Sequence, residues 1–181
     1  MNKLKLKNGL VHVYFGDGKG KTSAALGLGL RACGCGLRVC MLQFLKKSNC
    51  RTGELNVSGG LRNFKIMQLD QAHPMFSKKK INLPALKKKV YSGLRLAEGF
   101  MKNNSCDILI LDEILNAVEC SLIDEKEIIK LIRRKPKKIE LVLTGRSASK
   151  RLLAHADYVS MVENIKHPID KTIFARRGIE F

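Results

Sequence analysis

The residues of this chain best placed to do chemistry are a lysine and a threonine behind three alternating glycines, in the run Gly16-Asp17-Gly18-Lys19-Gly20-Lys21-Thr22-Ser23. Glycines let the backbone N–H groups of a turn approach phosphate oxygens with no side chain in the way. A helix starting at Lys21 adds its positive N-terminal end. In such a loop Lys21 supplies a point charge to phosphate and Thr22 a hydroxyl to Mg²⁺, while Asp17 and Lys19 extend its polar reach. The spacing is one residue short of the usual G-x-x-x-x-G-K-[ST], because Phe15 stands where the first glycine belongs. A plain glycine-rich turn between strand and helix is the alternative. Gly-Lys-Thr in that setting is much the stronger signal, and nucleotide binding is expected.

Asp112 and Glu113 close the apolar run "DILILDE". In a parallel sheet the C-terminal end of that strand faces the same crevice as the glycine loop, so a carboxylate there reaches Mg²⁺ directly or through water. Asp112 could instead cap the helix that follows. Arg146 ends the run "LVLTGR" on the same edge, where phosphate contact is favoured over a surface role. Arg31 lies roughly 13 Å down the helix from Thr22, and its spacing gives it no path to the loop.

These groups need a frame, and the pattern supplies one. "LVHVYF" (10–15) is a β-rich run, 21–34 a small-residue helix, and "LRVCMLQFL" (37–45) an apolar strand of the kind buried on both faces. Residues 46–60 read as a polar loop with room for a short helix, 64–69 as a third strand and 71–84 as a long irregular connection that covers a site or moves. A helix over 85–103, strand 107–113, helices near 114–120 and 124–134, strand 139–146, helix 148–156 and strand 158–165 follow. The alternation predicts right-handed βαβ units. The expected fold class is α/β, three-layered, with a mostly parallel sheet, in one domain over 1–181.

Bulk composition narrows the partners. Thirty-four basic residues oppose 16 acidic ones, a net +18, which attracts polyanions. The lysines fall in scattered clusters without interleaved aromatics, and the chain has no tryptophan, so nucleic acid is not the expected partner. The six cysteines form no C-x-x-C pair and read as structural thiols. No run reaches the roughly 18 apolar residues of a membrane span, and no signal peptide is legible. A cytoplasmic location is expected.

"VYFGDGKGKTSAALGLGLRACGCGLRVCMLQFLK", "LILDEI", "IELVLTGR" and "KHPIDKTIFARRGIEF" together resemble the P-loop ATP:corrinoid adenosyltransferases, over almost the whole chain. The shortened loop belongs to that family's pattern, and the tail is its most specific part. The resemblance implies a RecA-like P-loop fold in which ATP lies reversed, its γ-phosphate end in the loop. A reduced Co(I) corrinoid attacks C5′ of the ribose and expels tripolyphosphate, as in adenosylcobalamin synthesis or salvage. Cobalt carries no proton, so no general base is required. The loop Gly16–Ser23 is implied to bind the nucleotide, and Lys21 and Arg146 to stabilise the leaving triphosphate. Arg31 joins them as a candidate active-site contact. Thr22 and Glu113 are implied as Mg²⁺ ligands, with Asp112 beside them. An electron donor such as a flavoprotein and a homodimer complete the implied partners.

The family closes bulky aromatics, a tryptophan among them, over the corrinoid. Here Phe64, His73 and Phe76 stand in the corresponding region, Phe76 being the largest apolar side chain of the 71–84 connection. The competing readings are a RecA-like nucleic-acid-dependent ATPase, motivated by the charge, and a nucleotide-gated corrinoid carrier without turnover.

Overall fold

A computed structural model describes residues 6–47, 52–75, 77 and 80–180. Six strands form one sheet in the order β3-β2-β4-β5-β1-β6, every pairing parallel. They are β1 (Val11–Phe15), β2 (Val39–Gln43), β3 (Phe64–Gln68), β4 (Ile108–Asp112), β5 (Glu140–Gly145) and β6 (Tyr158–Met161). Between them run α1 (Lys21–Gly34), α2 (Gly53–Ser58), α3 (Leu83–Lys102), α4 (Ile114–Glu119), α5 (Glu125–Arg134) and α6 (Lys150–Leu153). The tail holds a 3₁₀ turn at Pro168–Lys171.

The strands alternate between two cores, as a period of two requires. Leu42, Leu109, Leu111, Leu141 and Leu143 face the α3–α5 side, while Met41, Ile108, Ile110 and Val142 face α1. Every residue of β2 and of β4 is buried, which is why both read as continuous apolar runs rather than alternating ones.

Several predicted elements are shorter in the structure. β2 stops at Gln43, since Leu45 turns the chain with φ 52°, and the last strand ends at Met161 rather than residue 165. The helix predicted over 148–156 is only Lys150–Leu153, started by Ser149, whose side chain accepts the N–H of Leu152. α3 begins earlier than expected because Asn82 caps it, accepting from the Ala85 N–H, with a proline in the first turn. The described part of the 71–82 connection has neither helix nor strand. Phe76, Lys78 and Lys79 lie outside the described residues.

All strand C-termini open on one edge. The register pairs Phe15 with Gly145 and Gln43 with Asp112, so the glycine loop, the acidic pair and Arg146 emerge together.

The glycines of the loop have a reason the sequence did not suggest. A Cβ on Gly16 would stand 2.3 Å from the carbonyl oxygen of Val162, and one on Gly18 would stand 2.5 Å from that of Glu163. Both N–H groups are also spent on the backbone, Gly16 donating to the Arg146 carbonyl and Gly18 to the Val162 carbonyl, each at 2.9 Å. These two glycines admit the chain leaving β6. The N–H groups of Lys21, Thr22 and Ser23 at the helix start precede the first intrahelical bond, from Ala24 to Gly20, and are open to phosphate.

Gly16→Ala is therefore expected to destabilise by about 1–3 kcal/mol, combining a backbone clash with a φ of 120°. Gly27→Ala, inside α1 with nothing within 4 Å of the added Cβ, is expected to stabilise by about 0.5–1 kcal/mol. Denaturant unfolding of the two variants checks the contrast.

Candidate active site

Asp112 ends β4 with no exposure, and an ionised carboxylate there must be paired. Its Oδ1 accepts hydrogen bonds from the hydroxyls of Thr22 and Thr144, each at 2.8 Å. Its Oδ2 faces Lys46 Nζ at 3.1 Å and Gln43 Nε2 at 3.4 Å. Asp112 does not cap α4. The N-cap residue is Glu113, in the left-handed region with φ 64°, and no side chain caps that helix. Because Thr22 donates its O–H to Asp112, its oxygen keeps lone pairs for a cation.

Glu113 is held differently. Its N–H donates to Thr144 Oγ1 at 2.9 Å, and its Oε2 accepts from Asn116 Nδ2 at 2.6 Å. Burial, then the neighbouring Asp112 charge, raise its pKa above the usual carboxylate range, so a bound cation would favour the ionised form. Asn116 also accepts the Arg146 N–H at 2.6 Å through Oδ1. One buried amide thus fixes both the Glu113 carboxylate and the backbone at Arg146.

In the loop, Lys21 Nζ donates to the Gly18 carbonyl at 2.5 Å. Burial lowers its pKa, Glu113 opposes that, and Arg146 adds to it; an ammonium held by a single carbonyl beside another cation is ready for an anion. Lys19 reaches Glu180 at 2.8 Å, and Asp17 Oδ1 accepts the Asn164 N–H at 3.1 Å. Asp17 and Lys19 therefore bind the C-terminal tail. Glu180 is also gripped by the Arg176 guanidinium and N–H, and these bonds pull its pKa to about 2.

A cleft of about 540 Å³ brings Thr22, Ser23, Lys46 and Glu113 together with Gly178, Ile179 and Glu180 of the tail. The neighbouring groove between α1, α2 and β3, about 230 Å³ and walled by Leu30, Val57, Leu61 and Phe64, offers nothing to a phosphate. Phe64 is buried against Gly29 of α1, which removes it as an aromatic for a second substrate. Arg31 is not brought to this cleft. It is exposed in the last turn of α1, where its charge acts on Tyr14.

Lys46, Gln43, Thr144 and Asn116 were not singled out from the sequence. The signal for two of them was present, since Gln43 and Thr144 are lone polar residues near the ends of apolar strands. Lys46 is substantially buried. Burial alone would lower its pKa, but Asp112 and Glu54 hold it above the ordinary lysine value. Oxygen donors from Thr22 and Glu113 could hold Mg²⁺, which usually takes one or two carboxylates and completes its shell with phosphate and water. Among the described residues no group of three or more His, Cys, Asp or Glu could hold a metal by itself.

A sequence profile of the ATP:corrinoid adenosyltransferases BtuR/CobO/CobP matches residues 7–181. A corrinoid adenosyltransferase of a Sinorhizobium species is 30% identical over 180 residues, covering 97% of this chain and 81% of that protein. Its Escherichia coli counterpart is 28% identical over 177 residues, covering 97% and 87%. An uncharacterized Nostoc protein is 30% identical over 183 residues, and this chain spans only 48% of its length. Among solved structures, a KaiC-like protein of Pyrococcus horikoshii aligns with a TM-score of 0.51 at 16% identity, over 86% of this chain and 73% of that one. ATPases 2 and 3 of EssC from Geobacillus thermodenitrificans align at 0.50 and 15% identity, over 95% and 35%. At that identity the likeness is one of fold, the RecA-like P-loop fold expected from the sequence.

Asp112→Asn is expected to cost about 3 kcal/mol of folding stability, because it leaves the buried Lys46 without its carboxylate. Glu113→Gln, whose side chain is 29% exposed, is expected to stay within about 1 kcal/mol of the parent. Urea unfolding compares them, and equal stability of the two variants would contradict the role given to Asp112.

Proposed function

The chain belongs to the ATP:corrinoid adenosyltransferase family, and from that membership we propose that it transfers the 5′-deoxyadenosyl group of ATP to the Co(I) centre of a reduced corrinoid, releasing tripolyphosphate. The observation that carries this reading is the tail. The segment that resembles the family most specifically folds onto the phosphate loop through Lys19–Glu180 and walls the cleft that holds Thr22 and Glu113. A general P-loop hydrolase has no need of such a strap.

The chemistry asks the protein for position and charge. The nucleophile is the cobalt of the substrate, so the cleft needs no base to make it reactive. The leaving polyphosphate gathers negative charge as the C5′–O bond breaks. Lys21, the open N–H groups of Lys21, Thr22 and Ser23, and Arg146 on the facing strand end are placed to meet that charge. Thr22 Oγ1 and Glu113 would hold Mg²⁺, which would supply further positive charge against the polyphosphate. Asp112 acts through Thr22, by accepting its hydroxyl hydrogen bond and fixing its rotamer. Holding the two substrates in line supplies the rest of the acceleration.

The same reading includes an electron donor such as a flavoprotein, which makes the Co(I) state, together with a homodimer and a cytoplasmic setting. No helix among the described residues is long and apolar enough to cross a membrane.

An anaerobic assay with chemically reduced cobalamin, ATP and Mg²⁺ tests the proposal. Loss of the Co(I) spectrum should be matched mole for mole by tripolyphosphate. ADP and phosphate appearing in step with corrinoid loss would mark an ordinary ATPase instead. Lys21→Ala should lower the rate roughly a hundredfold, as removal of one preorganised charge contact does.

A further inference from the structure

Glu113 has to present a carboxylate to a ligand from a left-handed turn, with Asn116 on one oxygen. A second group approaches that same oxygen. His73 Nε2 lies 3.9 Å from Glu113 Oε2, with only 9% of the His73 side chain exposed. His73 belongs to the irregular 71–82 connection and to none of the elements that carry the other site residues. Its Nδ1 accepts the Met75 N–H at 3.2 Å. A ring nitrogen that accepts cannot carry the proton, so in the neutral imidazole the proton is on Nε2, the nitrogen facing Glu113. Burial, and then the charge of Arg146, lower the His73 pKa, which agrees with a neutral ring. Arg146 acts on Lys21 as well, so His73 stands within the field of the phosphate loop.

We propose that His73 is a positioning residue for Glu113: its Nε2–H closes onto Glu113 Oε2 when nucleotide and metal bind, tying the 71–82 connection to the carboxylate that meets the metal. At 3.9 Å the contact is too long for a hydrogen bond, but contacts of this kind tighten when a site fills. With Asn116 and His73 both on Oε2, the other oxygen is turned to the cation. His73 and the described residues beside it thereby gain an anchor that depends on the nucleotide site, which shields them when ATP and metal are in place. The proposal rests on the nucleotide half of the function above and needs no corrinoid.

The test uses the full chain with ATP and Mn²⁺, no corrinoid, and reads bound Mn²⁺ by electron paramagnetic resonance. His73→Ala is expected to weaken Mn²⁺ binding in the presence of ATP about tenfold, the lower end for losing a partner of a metal ligand. His73→Gln carries an amide nitrogen to the position of Nε2 and should restore most of the affinity. His73→Asn, whose amide reaches only as far as Nδ1, should not. Limited proteolysis gives a second readout: ATP with Mn²⁺ should protect the 71–82 connection in the parent and His73→Gln, but not in His73→Asn. If the parent takes up no Mn²⁺ with ATP, the nucleotide reading itself falls, and this proposal with it. If the parent binds and the Gln and Asn variants bind equally well, His73 has no positioning role and the nucleotide reading stands. The Gln–Asn contrast decides even where His73→Ala fails to fold.

Discussion

A fully buried carboxylate cannot stay ionised without partners, and Asp112 meets that demand by drawing three strand ends together. Thr22 comes from the first turn of α1, Thr144 from β5, and Gln43 and Lys46 from β2 and the turn beyond it. Breaking such a cluster leaves an uncompensated buried charge, which costs far more than the cluster adds to stability when intact. The register Gln43↔Asp112 is the backbone expression of the same constraint. What the site can do follows from it. Thr22 donates its O–H to Asp112 and faces the cleft with its oxygen lone pairs, while Thr144 passes the restraint to the Glu113 N–H.

The second constraint is the tail. Gly16 and Gly18 are small because the backbone at Val162 and Glu163 runs against them, and Asp17 and Lys19 are polar because Asn164 and Glu180 engage them. The shortened loop is thus shared between phosphate and strap. The N–H groups of Gly16 and Gly18 are lost to its anion cradle, and the loop carries the C-terminal segment into place beside the cleft. Glu180, pulled well below the usual carboxylate range by Arg176 and Lys19, is ionised near neutral pH and keeps its ion pairs with them.

Much of this was legible in the residues. Continuous apolar runs gave the buried parallel strands, and Gly-Lys-Thr and Asp-Glu gave the two halves of the site, because each signal is local. Helix and strand ends were less legible, since Leu45 and Asn82 act through turn and cap geometry rather than period. The partners of Asp112 were missed for a different reason. Gln43, Lys46 and Thr144 matter only through the register that brings them around one carboxylate, and no local pattern encodes it. Arg31 shows the converse: resemblance implied a place in the site, and the helix carries it to the far end. The sequence favoured Phe76 over His73, and Phe76 lies outside the described residues; the fold buries Phe64 under α1 and sets His73 beside Glu113.

A buried aspartate that orients a threonine, the cations beside it and a strap over the phosphate loop support the proposal of a site that steadies a leaving polyphosphate while chemistry occurs at carbon. The most direct test of that claim follows the oxygen between C5′ and the α-phosphorus. With ATP labelled by ¹⁸O at that bridge and a Co(I) corrinoid as acceptor, cleavage at carbon sends the label into tripolyphosphate, and mass spectrometry should find it there in full. Label retained in an adenosine-containing product, with unlabelled phosphate released, would mean cleavage at phosphorus and would contradict the account.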